Sequence, residues 1–193
     1  MYSEIQEQKL KSVFILRPFR DGDQASLVAN GNNIKIFNNV RDNFPYPYTL
    51  DDADWWIKAQ KEVDKPAQCL AIDVNGEVIG GIGIVLDSDI HRLTAELGYW
   101  LGESHWGKGI MSQAVKRMVD YVFKNFPDLL RLWAAVFEHN KSSMRVLEKA
   151  GFELEGIRKK GAIKNGLVID EYVYVQFRDY TGMIENICNL NST

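Results

Sequence analysis

Cysteine is scarce in this chain: Cys69 and Cys188 are the only two among 193 residues, and they stand far apart. That spacing excludes a disulfide-stapled scaffold and is read as two free thiols in a reducing compartment. Histidine is scarce too. His91, His105 and His139 fall in loops or at element ends, at spacings that match no metal site, so none is expected. No apolar run reaches the roughly 18 residues of a membrane-spanning helix. The opening "MYSEIQEQKLKS" lacks the apolar stretch of a signal peptide, so a soluble, cytoplasmic protein without membrane partners is expected. Positive charge is not in excess: the net charge is −3, which argues against a broad nucleic-acid footprint. No repeat or low-complexity segment stands out. GxxxxGK[ST] and GxGxxG are absent, which removes the phosphate-loop and dinucleotide fingerprints. No G-x-S-x-G elbow is present, which disfavours a serine hydrolase.

What remains is an ordinary globular composition, 46% hydrophobic and 25% charged, enough to bury one sizeable core. One domain is expected over residues 1–180, with a frayed tail over 181–193. "KSVFILRPF" reads as a strand and "DGDQASLVANGN" as a short helix with Asp21 or Asp23 as cap. An aromatic loop follows, "NFPYPYT". Thr49 and Asp52 have capping-box spacing at the head of the helix "LDDADWWIKAQKEV". "QCLAIDVNGEVIGGIGIVL" is a hairpin turning at Asn75-Gly76, and its "GGIG" suits close packing. Next come the strand "TAELGYWLG" and the helix "GIMSQAVKRMVDYVFKNF", whose apolar residues recur at helical spacing. The strand "LRLWAAVF", the helix "NKSSMRVLEKAG" and a last hairpin turning at Gly166 complete the chain. The order implies an α/β (α+β) protein with a mixed sheet of about seven strands and about four helices. Its one helical crossover joins two parallel strands.

At the end of the first of those strands lies "ESHWGKGIMSQAV". Gly107 and Gly109 strip side chains from a corner where a helix begins. The first N–H groups of a helix have no partner within it, and the helix dipole adds positive potential there. Such a corner suits phosphate or pyrophosphate, with Lys108 at its rim. By itself a GxG corner is equally a plain tight turn.

The segment "AELGYWLGESHWGKGIMSQAV", followed by "EHNKSSMRVLEKAGFELEG", resembles the GNAT acetyltransferase superfamily. It is most similar to the ribosomal-protein N-terminal acetyltransferase branch, the RimJ/RimL type, from "ILRPFRDGDQASL" to "VIDEYVYV". The resemblance implies a mostly antiparallel twisted sheet whose central parallel strands splay apart. It also implies acetyl-CoA as co-substrate. Its pyrophosphate would lie on the corner formed by Trp106, Gly107, Lys108, Gly109, Ile110, Met111 and Ser112. The pantetheine arm would run beside Tyr99, Trp100 and Leu101. Trp106 and Met111 depart from the superfamily's broad pattern, which matters little where the backbone supplies the donors.

The resemblance further implies that Asn140 reaches the pantetheine or the departing sulfur and that Ser143 lies near the thiol. Read from the residues alone, Asn140 is a helix N-cap and Ser143 a first-turn helix residue. Glu96 shares a strand face with Gly98 and Trp100. A carboxylate there is either a general base acting through water or the partner of a basic residue such as Arg131. A tyrosine acid that many relatives carry on the helix after Asn140 is absent, its positions being Leu147 and Glu148. A thiol with a pKa of about 8.5 leaves without strong acid help, and an α-amine of about 7.7–8.0 is easier to deprotonate than a lysine of about 10.4. These considerations favour direct transfer to the α-amine of a protein or peptide N-terminus. A polyamine or aminoglycoside acetyltransferase and a non-catalytic acyl-CoA-binding module are the alternatives. Phe44, Tyr46, Tyr48, Trp55 and Trp56, in "FNNVRDNFPYPYTLDDADWW", are either core residues or acceptor-pocket walls, and Asp170 and Tyr172 can present a cation-binding face or plain hairpin surface. Either a monomer or a homodimer is compatible with the sequence.

Overall fold

The computed structural model describes residues 14–62 and 66–179. The Cys188 thiol and the tail 181–193 lie outside the described residues. Among them a seven-stranded sheet runs in the order β1-β2-β3-β4-β5-β7-β6. The strands are β1 (Ile15–Arg17), β2 (Cys69–Val74), β3 (Glu77–Leu86), β4 (Thr94–Leu101), β5 (Arg131–Phe137), β6 (Glu153–Lys164) and β7 (Leu167–Phe177). Every neighbouring pair is antiparallel except β4 and β5, the crossover expected from the helix between them.

Helices cover both faces. On one side α4 (Ile110–Asn125) and α5 (Lys141–Ala150) bury Val115, Met118 and Leu147 against Leu97 and Leu132. On the other, α1 (Gln24–Gly31) and α3 (Leu50–Glu62) bury Leu27 and Ile57 against Ala71 and Val78. The buried residues of α4 are those its spacing marked, from Ile110 through Val122. A one-turn helix, α2 (Ile34–Phe37), escapes sequence reading because it is too short to show a period.

Local chemistry sets most boundaries. Thr49 and Asp52 form the capping box of α3, the Thr49 N–H donating to Asp52 Oδ2 at 2.8 Å and the Asp52 N–H to Thr49 Oγ1 at 3.3 Å. Asp23 stands at the cap of α1, yet its side chain does not cap the helix. Its carboxylate takes the Arg17 guanidinium at 2.7 and 2.8 Å instead. Asp73 accepts from Arg17 Nε at 2.7 Å, so one arginine serves two carboxylates that are almost fully buried. In the "GGIG" of β3, a Cβ on Gly81 would sit 2.8 Å from the Trp100 indole nitrogen, so the glycine is what lets that ring lie on the sheet.

Candidate functional site

The parallel pair β4 and β5 is joined only at Thr94–Arg131, Ala95–Leu132 and Glu96–Trp133. Beyond Glu96, β4 runs on to Leu101 and β5 to Phe137 without pairing to each other. Two cavities, of about 530 and 560 Å³, adjoin this gap and share Tyr99, Trp100, Asn140 and Ser143 in their walls.

The second cavity ends at the glycine corner. Gly107 and Gly109 adopt φ of 73° and 75°, a left-handed conformation that other residues reach only with strain. A Cβ on either would meet nothing within 4 Å, so the space over the corner is open. No side chain caps α4, which begins there. Gly107, Gly109, Ile110, Met111 and Ser112 line the cavity. Ile110 and Met111 are buried in the core. Trp106 donates its indole N–H to the Leu101 carbonyl at 2.6 Å and so ties the corner to the end of β4. Lys108 is exposed and outside the cavity lining.

Sequence reading missed a row of cations in this cavity. Lys141, Arg145 and Lys149 line it from α5, four residues apart and thus on one helix face. The spacing was legible in "KSSMRVLEK", but nothing in it says which way the face points. The corner, the uncapped N–H groups and this basic row together fit a polyanionic ligand.

Where the cavities meet, Asn140 is both cap and wall: its Oδ1 accepts from the Ser143 N–H at 3.1 Å. The Tyr99 hydroxyl lies 2.8 Å from Ser143 Oγ. Burial raises the Tyr99 pKa far above its ordinary value, against the opposing pull of the Ser143 hydrogen bond. The phenol therefore stays protonated at neutral pH. The Tyr99 hydroxyl also lies 3.4 Å from the Ser143 carbonyl oxygen; where it donates to Ser143 Oγ, the serine proton is free for a ligand. At the helix positions without a tyrosine, Leu147 is in the core and Glu148 accepts from Tyr174 at 3.0 Å. The tyrosine hydroxyl at the meeting of the cavities is that of Tyr99, on β4. Asn39 Oδ1, in a residue that lines both cavities, is buried without a hydrogen-bond partner among the described residues, an acceptor suited to an incoming N–H group.

The first cavity is a chamber walled by Phe44, Tyr48, Trp56 and Trp100. Phe44 sits edge-on to Trp100 at 5.6 Å and tilted over Tyr48 at 5.1 Å. Trp55 stands at its rim, 68% exposed. Trp100 and Leu101 both line the second cavity; the Trp100 ring also packs on Phe44 in this chamber, and the Leu101 side chain is buried in the core. Glu96 lines the chamber, and its partner is Arg41, not Arg131, which binds Glu155 at 2.6 Å. Burial raises the Glu96 pKa above the usual carboxylate range, and the Arg41 charge pulls the other way. Of the last hairpin, Glu171 lines the chamber, whereas Asp170 turns to Lys159 at 2.7 Å and Tyr172 packs under Lys141. Cys69 also lines it, but burial pushes its thiol up to about 11, so it is no thiolate at neutral pH.

Among the described residues no group of three His, Cys, Asp or Glu could hold a metal ion, and no helix is long and apolar enough to cross a membrane.

Residues 14–153 match the acetyltransferase (GNAT) domain family. The probable N-acetyltransferase YjcK of Bacillus subtilis (strain 168) is 50% identical over 80 residues, 42% of this chain and 44% of that protein. The ribosomal-protein-serine acetyltransferase of Escherichia coli (strain K12) is 35% identical over 100 residues, 51% of this chain and 55% of its own. The chain spans about half the length of the curated relatives it matches. Among solved structures, RimL, a ribosomal L7/L12 alpha-N-protein acetyltransferase in complex with coenzyme A, superposes with a TM-score of 0.76. It is 22% identical, and the match covers 88% of this chain and 97% of that one. The family match covers most of the sheet and the whole splayed opening, and the chain belongs to the GNAT acetyltransferase family.

Proposed function

We propose that this protein is an N-acetyltransferase that takes acetyl-CoA as co-substrate and passes the acetyl group directly to an α-amine. The observation that carries this reading is the parting of β4 from β5 beyond Glu96, with an open anion corner on one side and a carboxylate chamber on the other. The pyrophosphate fits the backbone of Gly107–Ser112, and Lys141, Arg145 and Lys149 answer the remaining phosphate charge. The pantetheine arm fits the gap, where β4 has edge backbone to offer and Asn39 an unused acceptor.

The amine enters from the chamber. Its nitrogen bonds to the acetyl carbon as the carbon–sulfur bond breaks. The amine's proton passes to Glu96, directly or through one water, and a raised pKa makes that carboxylate a better proton acceptor. The Tyr99–Ser143 pair donates a hydrogen bond to the departing sulfur. A thiol is a stronger acid than this phenol, so the pair steadies a thiolate and need not protonate it. No acyl-enzyme is required, and Cys69 is protonated and unsuited to carry one.

The name of the E. coli relative, a ribosomal-protein-serine acetyltransferase, supports an N-terminal acceptor. The carboxylates of the chamber are what a polyamine would use, but each already has a partner: Arg41 for Glu96, Thr49 for Asp52 and Arg158 for Glu171. Mass spectrometry of an amine panel incubated with labelled acetyl-CoA tests the reading. Acetylated α-amines are expected, and coenzyme A binding without turnover on any amine would leave a binding module instead. Reversing the charge with Arg145→Glu should weaken coenzyme A about tenfold, the loss of one exposed phosphate partner. Calorimetry at two salt concentrations reads it, and unchanged affinity would remove the basic row from the site.

A further inference from the structure

At the end of β6 an isoleucine and a lysine have exchanged their usual places. Ile163 is 67% exposed, and Lys164 beside it is 4% exposed. Alternation ties the two, since the slip that would bury the isoleucine would expose the lysine. A lysine is almost never so buried unless it is paired. Lys164 lines neither cavity. Its partners lie from the end of α2 into the connection between α2 and α3. It donates to Asp42 Oδ1 at 2.6 Å, and its ammonium lies 3.6 Å from the Phe37 ring centre. Asn165, which turns the hairpin at φ of 51°, donates to Asn38 at 2.9 Å. The start of α2 is held as well. Asn33 donates to Glu103 at 2.8 Å and Lys35 pairs with the same carboxylate.

Arg41 stands next to Asp42 on this connection and lines the chamber beside Glu96. One nitrogen, Nη2, donates to both oxygens of Glu96, at 2.6 Å to Oε1. The Arg41 side chain is 63% exposed. An exposed arginine on an unanchored loop loses much freedom when it pairs, and such a pair is weak. Anchoring the backbone on both sides of Arg41 removes part of that cost before any ligand arrives. We propose that Lys164 is a positioning residue for the transfer: it clamps the connection to the hairpin tip and thereby holds the Arg41 guanidinium on Glu96. The inference rests on the reading of Glu96 as the base of the chamber.

The charges around Glu96 give the clamp a readable consequence. Burial, Asp87 just past β3 and Glu171 on β7 all favour its protonated form, and Arg41 opposes them. Arg158 of β6 pairs with Glu171 at 3.9 Å. Tyr48, Cys69 and Tyr99 also line the chamber, and burial pushes their pKa values up, so they stay neutral. Asp52, the remaining carboxylate of the lining, is kept ionised by its hydrogen bonds with Thr49. Arg41 is therefore the one cation of the chamber wall. When the clamp loosens, Arg41 spends less time on Glu96, and the base takes up its proton at higher pH.

Lys164→Met and Asp42→Ala break the same tie from its two sides while removing charges of opposite sign. By charge alone, the first would raise the Glu96 pKa and the second would lower it. Loss of the clamp raises it in both. Two readouts follow Glu96 in the full chain: the acidic limb of the kcat–pH profile, and its carboxyl titration by carbon-13 NMR, which needs no substrate. Both variants are expected to shift upward by roughly 1 pH unit, the low end of an adjacent guanidinium's effect on a carboxylate. Neither should add a shift in an Arg41→Ala background. Shifts of opposite sign, or an unmoved titration beside a lowered melting temperature, overturn the inference. Lys164 then acts through its own charge or through the fold alone. Asp42 is 72% exposed, so Asp42→Ala decides by the sign of its shift where Lys164→Met fails to fold. A wild type without turnover on any amine overturns the transferase reading, and an unmoved Glu96 titration in the variants then overturns the clamp too.

Discussion

Replacing Glu96 with glutamine is expected to lower kcat by about 10²–10⁴-fold, the usual worth of a positioned general base. Glutamine keeps the volume and accepts no proton. The pH profile makes the test specific. The Glu96 pKa is raised, chiefly by burial, so the wild type should lose activity on acidification at a higher pH than an ordinary carboxylate would dictate. Above that pKa the base is ionised and active; below it the base is protonated and idle. Glu96→Gln should lack this acidic limb altogether. Arg41 lowers the same pKa, so Arg41→Ala should move the limb to still higher pH. A Glu96→Gln variant that kept both its rate and its limb would put the base elsewhere.

Gly109→Asp should weaken coenzyme A by about 100-fold or more, combining backbone strain of roughly 1–2 kcal/mol with like-charge repulsion at the phosphate. The cause lies in the corner itself. Gly109 holds φ of 75° at the head of α4, where no side chain caps the helix. An acidic side chain there is favourable to the helix, whose N-terminal N–H groups it can accept from. It would thus help the fold while taking the donors a phosphate needs. Gly109→Ala separates the two contributions. A Cβ has open space there, so alanine brings the strain without the charge and should lose far less affinity. Calorimetry with coenzyme A reads both variants, and an undiminished affinity in Gly109→Asp would take the pyrophosphate off this corner.

Much of the local structure around this site was legible in the sequence. Asn75-Gly76 turns its hairpin with both residues at positive φ, and the Thr49–Asp52 box starts α3. Gly151 ends α5 at φ of 95°, with the Phe152 N–H donating back to Leu147 at 3.0 Å. The bare corner and the cap at Asn140 were equally visible. Each of these depends on a few adjacent residues, and local spacing records such rules. Glu96 was recognisable as an unusual carboxylate because strand alternation gave its face. Its partner was not, for Arg41 lies 55 residues away on a loop without periodicity.

The last hairpin shows the same limit. Asp170 and Tyr172 read alike as candidates, yet the residue between them, Glu171, paired with Phe137, is the one that meets the chamber. Sequence by itself determined the order of the elements apart from the one-turn α2, the crossover, the glycine corner and the family, because periodicity, capping and turn chemistry act between near neighbours. Tertiary structure alone decided that Tyr99 meets Ser143, that α5 turns its basic row to the cavity, and that Arg41 stands on Glu96. Those pairings join residues far apart in the chain. They arise from how twisted strands diverge and how helices settle on them, which no short stretch of residues encodes.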